Sequence, residues 1–210
     1  MTNRDLFEAL EQIDEIHNHL ARSETYLGYR PVPVAASGLA GLGAAWWQPR
    51  FVPDGDPRAF AYYWLAAAAV CGLIAATGNI LHFIRDCDRA DRRKTLHVWG
   101  QFIPAIITGV LVACAILRVS PESAVLLPGL WTIFFSLGVF SSRPFLPRAT
   151  GWIALFYLVA GIWLLLHPIS LKEGSAWPIA IIFCIGQLAS AVMLYCNIER
   201  KPEADAQKDW

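Results

Sequence analysis

The sequence predicts an all-α integral membrane protein: six transmembrane helices in three hairpins, preceded by a cytoplasmic amphipathic helix. Three observations carry that prediction. The chain has 210 residues, 56% of them hydrophobic and only 16% charged, whereas soluble domains carry roughly 25% charged residues. The charges come in short bursts separated by stretches of 16 to 24 residues that hold almost none. A helix needs about 20 apolar residues to cross a bilayer. Finally, Lys and Arg are unevenly shared between alternate connections, and that imbalance orients the chain.

Residues 1–30 come first. Leu6, Ile13, Leu20 and Leu27 recur every seven residues with Ala9 and Ile16 between them, giving one apolar helical stripe over 3–27. Thr2 or Asn3 can cap its start. The segment holds six acidic and three basic residues, unlike the basic helices that lie on anionic membrane surfaces, so its stripe is expected to pack on protein. It lacks the continuous apolar run of a signal peptide and is expected to stay on the mature chain.

The bundle over 31–198 follows, with spans at Val32–Trp47, Ala61–Ile84, His97–Leu117, Ser123–Ser141, Gly151–His167 and Ala176–Asn197, and a tail over 199–210. One side receives Arg4, Arg22, Arg30, Arg85, Arg89, Arg92, Arg93, Lys94, Arg143, Arg148, Arg200, Lys201 and Lys208; the other receives Arg50, Arg58, Arg118 and Lys172. Thirteen cations against four place both termini in the cytoplasm of a bacterial-type inner (plasma) membrane. Aromatic residues agree with that orientation. Trp46, Trp47, Tyr62, Tyr63, Trp64 and Trp177 fall at the outer boundary, and Tyr29, Trp99, Trp152 and Tyr195 at the inner one.

Within the spans, Ser37, Gly41 and Ala45 form a small-residue row on the first helix, beside Ala36, Ala40 and Ala44. Ala68, Gly72 and Ala76 repeat the spacing on the second. Such rows let backbones approach closely in lipid, so the first two helices are expected to pack through Ser37, Gly41, Ala45 and Gly72. Pro104 and Pro128 are expected inside helices three and four, and Pro178 at the start of helix six. The spans carry no charge at mid-depth. Their polar residues (Thr77, Asn79, Gln101, Thr108, Thr132, Ser136, Gln187, Ser190) read as interhelical hydrogen-bonding groups.

Few constellations could carry chemistry. His82 closes helix two, His97 opens helix three and Cys87 lies between them; two imidazoles and a thiolate suit zinc, and two imidazoles suit haem. Tight HxxxH-type spacing is missing, and interfacial histidines commonly satisfy headgroups and helix ends, so no metal or other cofactor is expected. Glu122 stands with Ser120 and Ser123 but without a base, and Pro121 reads as a helix start. GxSxG, HExxH and glycine-rich phosphate loops are all missing, so the chain is not expected to be an enzyme. Five scattered cysteines without a CxxC pair are not a disulfide framework. A net charge of zero argues against nucleic acid.

The order of parts is also familiar. Residues 22–31 read Arg-Ser-Glu-Thr-Tyr-Leu-Gly-Tyr-Arg-Pro, and 35–41 Ala-Ala-Ser-Gly-Leu-Ala-Gly. Leu-Pro-Gly-Leu-Trp (127–131), Ser-Leu-Gly-Val-Phe-Ser-Ser-Arg (136–143) and Gly-Trp-Ile-Ala-Leu-Phe-Tyr-Leu-Val-Ala-Gly (151–161) come later. This resembles a group of uncharacterised bacterial six-helix membrane proteins with a cytoplasmic amphipathic N-terminal helix, often encoded beside a small winged-helix regulator. The last hairpin is more loosely similar to acid-resistance-type hairpin-repeat membrane proteins. The resemblance covers most of the chain, rests on structural motifs, and implies a fold and no activity.

The function expected is a membrane-anchored regulatory or accessory subunit that presents a cytoplasmic surface to a protein partner or a second copy. Leu6, Ile13 and Leu20 would dock beside Arg85, Arg89, Arg92 and Arg93, since the loop over 85–94 is basic and the N-terminal segment acidic. A small-solute or lipid channel or transporter acting as an oligomer is the alternative, and a haem- or metal-binding redox protein a third. A reporter fused before Met1 or after Trp210 should read cytoplasmic, and one inserted at Asp54–Pro57 external; an external C-terminus overturns the six-span topology.

Overall fold

The computed structural model describes residues 30–85, 89–143, 149–168 and 176–196, with the backbone alone over 78–85 and 89–99. Among these residues there are six α-helices and no strand. The helices are α1 (Pro31–Phe51), α2 (Pro57–Arg85), α3 (Arg89–Val119), α4 (Leu127–Ser142), α5 (Thr150–Leu166) and α6 (Trp177–Leu194), with a 3-10 turn at Pro121–Leu126 before α4. Four stretches are long and apolar enough to cross a membrane by length and composition: Pro57–Thr77, Gly100–Val119, Pro121–Ser142 and Trp177–Leu194. The sequence predicts six. Helix α5 is apolar but only 17 residues long, and α1, at 21 residues, is diluted by Pro, Gly, Trp and Gln.

Local chemistry sets several boundaries. Pro31 opens α1, where its missing N–H costs nothing. The α1–α2 connection turns at Gly55, whose φ of 77° lies in the left-handed region. Asp56 then caps α2, its Oδ1 accepting from the N–H groups of Arg58 (2.9 Å) and Ala59 (3.1 Å). Pro128, expected inside helix four, occupies the first turn of α4, because the 3-10 turn takes up the preceding residues. It therefore removes no helical hydrogen bond and starts the helix instead of kinking it. Pro104 does lie inside α3.

The helices adjoin in chain order and close on themselves, with α6 returning against α1. Three hairpins are expected from the sequence, yet the two most extensive interfaces, α4 with α5 and α1 with α6, lie between hairpins. The reason is where glycine admits a neighbour. Gly129 of α4 and Gly161 of α5 face each other: a Cβ added to either would stand 3.0 Å from the other's carbonyl oxygen. On α1, a Cβ at Gly38 would meet the Gln187 Cβ at 2.9 Å, and one at Gly41 the Phe183 ring at 2.9 Å, both on α6. In lipid, where apolar burial gives helices no mutual attraction, such approach supplies the dispersion energy that holds a bundle together.

The small-residue row of α1 therefore meets α6 at Gly41, while Ala45 clusters with Phe60 and Trp64 of α2 as well as with α6. Ser37, Gly41 and Ala45 are buried. Gly72 and Ala68 on α2 are exposed, and a Cβ at Gly72 would meet nothing within 4 Å. Helix α2 joins α1 with large side chains instead: Tyr63 donates to the Ala44 carbonyl at 2.5 Å and Trp64 to Gln48 Oε1 at 3.1 Å.

Aromatic rings link four of the helices. Phe135 of α4 meets Phe102 of α3 (5.4 Å, edge-on), Tyr157 of α5 (4.8 Å) and Phe183 of α6 (6.1 Å). Glycines make room for two of these rings. A Cβ at Gly138 would stand 2.7 Å from Phe102, and one at Gly186 would overlap the Tyr157 ring. At the ends of the bundle other rings are exposed: Trp46, Trp47, Tyr62 and Trp177 at one, Trp152 and Tyr195 at the other. Trp64, expected in the outer belt, is a core residue at 6% exposure.

Gly186→Ala should destabilise the bundle by about 2–3 kcal/mol in reversible unfolding from detergent, since Tyr157 cannot yield without disturbing Phe135. Gly72→Ala should be neutral or stabilise by about 0.5–1 kcal/mol, by removing glycine from an open helix face. Equal effects of the two would refute the packing described.

Candidate functional site

Most residues singled out by sequence fall at one end. Leu6, Ile13 and Leu20 lie outside the described residues, as does Cys87. Arg85 is the last residue of α2 and Arg89 the first of α3, with Arg92 and Arg93 in the opening turn. His82 lies three residues before the end of α2, and His97 eight residues after the start of α3. The side chains of His82, Arg85, Arg89, Arg92, Arg93 and His97 are likewise outside the described residues.

The backbone alone is informative here. With 29 residues in α2 and 31 in α3, the two helices measure about 43 and 46 Å at 1.5 Å per residue. A hydrocarbon core is about 30 Å thick. Unless strongly tilted, the pair has several turns more than a crossing needs, and the connection between them carries the cationic run.

Polar groups within the bundle form interhelical ties. Trp131 of α4 donates its indole N–H to the Gly109 carbonyl of α3 at 3.2 Å, Ser136 of α4 to Ala154 O of α5 at 2.6 Å, and Tyr157 of α5 to Phe183 O of α6 at 3.2 Å. Thr132 and Ser190, expected to bond across helices, instead return to carbonyls of their own helix (Pro128 O, Gly186 O). Thr77 and Thr108 do the same from exposed positions. Such back-bonding satisfies a hydroxyl in lipid without a neighbour.

Two glutamines stand apart. Gln48, 2% exposed, accepts the Trp64 indole N–H near the α1–α2 turn. It was not evident from sequence, because the apolar run ends at Trp47; the signal was an amide directly after the Trp46–Trp47 pair. Gln101 on α3 has a buried Oε1 with no hydrogen-bond partner, so it is not the interhelical tie that its type suggests. Ser120 donates to Glu122 and lies 2.9 Å from the Ser123 hydroxyl. This is a self-contained polar turn in which Ser120 occupies the N-cap position without making a side-chain cap. Among the described residues no group of three His, Cys, Asp or Glu side chains is placed to hold a metal ion.

The architecture defines a class: an all-helical bundle of membrane-protein character, closed in chain order and packed with aromatic rings at its centre. Comparison with protein-family models, curated proteins and solved structures gives no match.

Gln48→Leu should cost about 1–2 kcal/mol of stability, because it strands the buried Trp64 N–H. Gln101→Leu should be neutral or stabilising, because it removes an unpaired buried oxygen. Unfolding titrations of both variants check the contrast.

Proposed function

We propose that the protein is a non-enzymatic, membrane-anchored regulatory or accessory subunit with six spans, both termini in the cytoplasm, and a cytoplasmic surface for a protein partner. The observation that carries this reading is the length of α2 and α3, which run unbroken to Arg85 and from Arg89, well beyond a membrane thickness. The cationic connection between them is a surface that an acidic partner fits. The thirteen-to-four division of Lys and Arg supports placing that surface in the cytoplasm. The acidic, apolar-striped segment 1–29 is the chain's own complement to it. Docking there would draw mainly on the stripe, at about 1.5–3 kcal/mol per fully buried Leu or Ile. Exposed charge pairs would contribute about 0–1 kcal/mol each and weaken with salt.

The filled centre supports an accessory role over conduction. Phe102, Phe135, Tyr157 and Phe183 occupy the region where a solute path between α3, α4, α5 and α6 would run.

The test is affinity purification of the full chain in mild detergent with quantitative mass spectrometry, compared with a chain lacking residues 1–28. The full chain should recover a defined partner in fixed ratio, and the shortened chain should insert but lose it. Unchanged recovery by the shortened chain, or solute flux through liposomes holding the pure protein, overturns the proposal.

A further inference from the structure

Among the described residues, α2 and α3 are the one pair of neighbouring helices joined by neither an interhelical hydrogen bond nor a close approach at glycine. Theirs is also the least extensive interface of the ring. Their described contact lies at one end, where Ala61 of α2 packs with Ala113 and Leu117 of α3 beside Leu127 of α4, and Leu65 adjoins the cluster. Followed at helical spacing, the same two stripes part. Ala61, Leu65, Ala68 and Gly72 lie at i, i+4, i+7 and i+11 on α2, and Leu117, Ala113, Val110 and Ile106 run in the opposite sense on α3. The antiparallel pairing puts Ala68 and Gly72 at the level of Val110 and Ile106. All four are exposed, Val110 by 40% and Ile106 by 52%, and a Cβ at Gly72 would meet nothing within 4 Å. These positions are not the outside of the bundle, since each continues the stripe that its helix turns toward the other at Ala61 and Ala113.

The two stripes are complementary. Small residues on α2 stand opposite branched ones on α3, the match by which Gly129 of α4 receives Leu165 of α5. In lipid, close approach of this kind supplies the energy of helix association. Helix α3 also has a point at which its course can change. Pro104, two residues before Ile106, has no N–H to give to the Gly100 carbonyl. Thr108 directs its hydroxyl back to the Pro104 carbonyl at 2.8 Å, a bond that often bends helices. We propose that α2 and α3 form a closing seam, a two-state element of which the structure shows the parted form. In the closed form Gly72 and Ala68 receive Ile106 and Val110, and α3 bends at Pro104 to bring them together. A partner that prefers one arrangement of the two helices shifts the seam, and the seam shifts that partner's affinity in return. Closure goes beyond the accessory-subunit reading and does not require it.

The test uses the full chain, with its native cysteines replaced by alanine, in liposomes at a high ratio of lipid to protein. One variant carries Gly72→Cys with Ile106→Cys. The control carries Leu73→Cys with Leu111→Cys, at exposed positions turned away from the seam. A disulfide needs Cβ atoms about 3.8 Å apart, closer than any atom stands to a Cβ at Gly72, so the first pair bonds only by moving together. Mild oxidation should join the first pair within one chain and leave the control pair free. Ala68→Leu fills the seam from a position that is exposed in the parted form. It should therefore leave the melting temperature unchanged while slowing formation of that disulfide about fivefold or more. A first pair that oxidises no faster than the control, disulfides only between chains, or an unchanged rate in Ala68→Leu would each overturn the proposal. If Ala68→Leu does not fold, Ala68→Val takes its place. A partner lost on deleting residues 1–28 bears on the accessory role alone, so the two readings fail separately.

Discussion

Phe135 meets rings from α3, α5 and α6 at 4.8–6.1 Å, and that contact can exist only because a glycine stands behind each of its three partners. Gly138 leaves space for Phe102, Gly186 for Tyr157 and Gly41 for Phe183. A bundle in lipid gains little by hiding apolar surface from other apolar surface, so close fit must hold it. Edge-on ring pairs add directional preference to that fit. Remove one glycine and a ring must move; move a ring and four helices lose register.

The interhelical hydrogen bonds reinforce the same arrangement. Donors on one helix reach carbonyls on the next between α2 and α1, α4 and α3, α4 and α5, and α5 and α6. The α1–α6 junction is tied by close approach through Gly38 instead, and the closest backbone approach is that of Gly129 and Gly161 between α4 and α5. Stability is distributed along the ring of helices.

Interfacial chemistry adds a second layer. Rings ring both ends of the bundle, and one cation, Arg50, lies 4.6 Å over the Trp47 ring, a pairing that settles its charge locally. Arg143 has no such ring and bridges the C-terminal end of α4 and the first turn of α5.

Much of the fold was legible in the sequence. Helix positions followed from uncharged stretches of the right length, and the start of α6 from Pro178, because crossing lipid and opening a helix are local demands. The identity of neighbours was not legible. Ser37, Gly41 and Ala45 look alike whether they meet α2 or α6, and Gly72 repeats the spacing while facing open space. Small-residue periodicity states that a face can be approached; it does not state by what. The same limit applied to the polar residues, since Gln48, Gln101 and Thr132 are similar as types but differ in having a partner, lacking one, or turning back on their own helix. Composition and spacing determined that this chain makes apolar helices with an asymmetric charge distribution. Which glycine admits which ring, and which amide finds a partner, depend on contacts between residues far apart in the chain, and only the tertiary structure decided them.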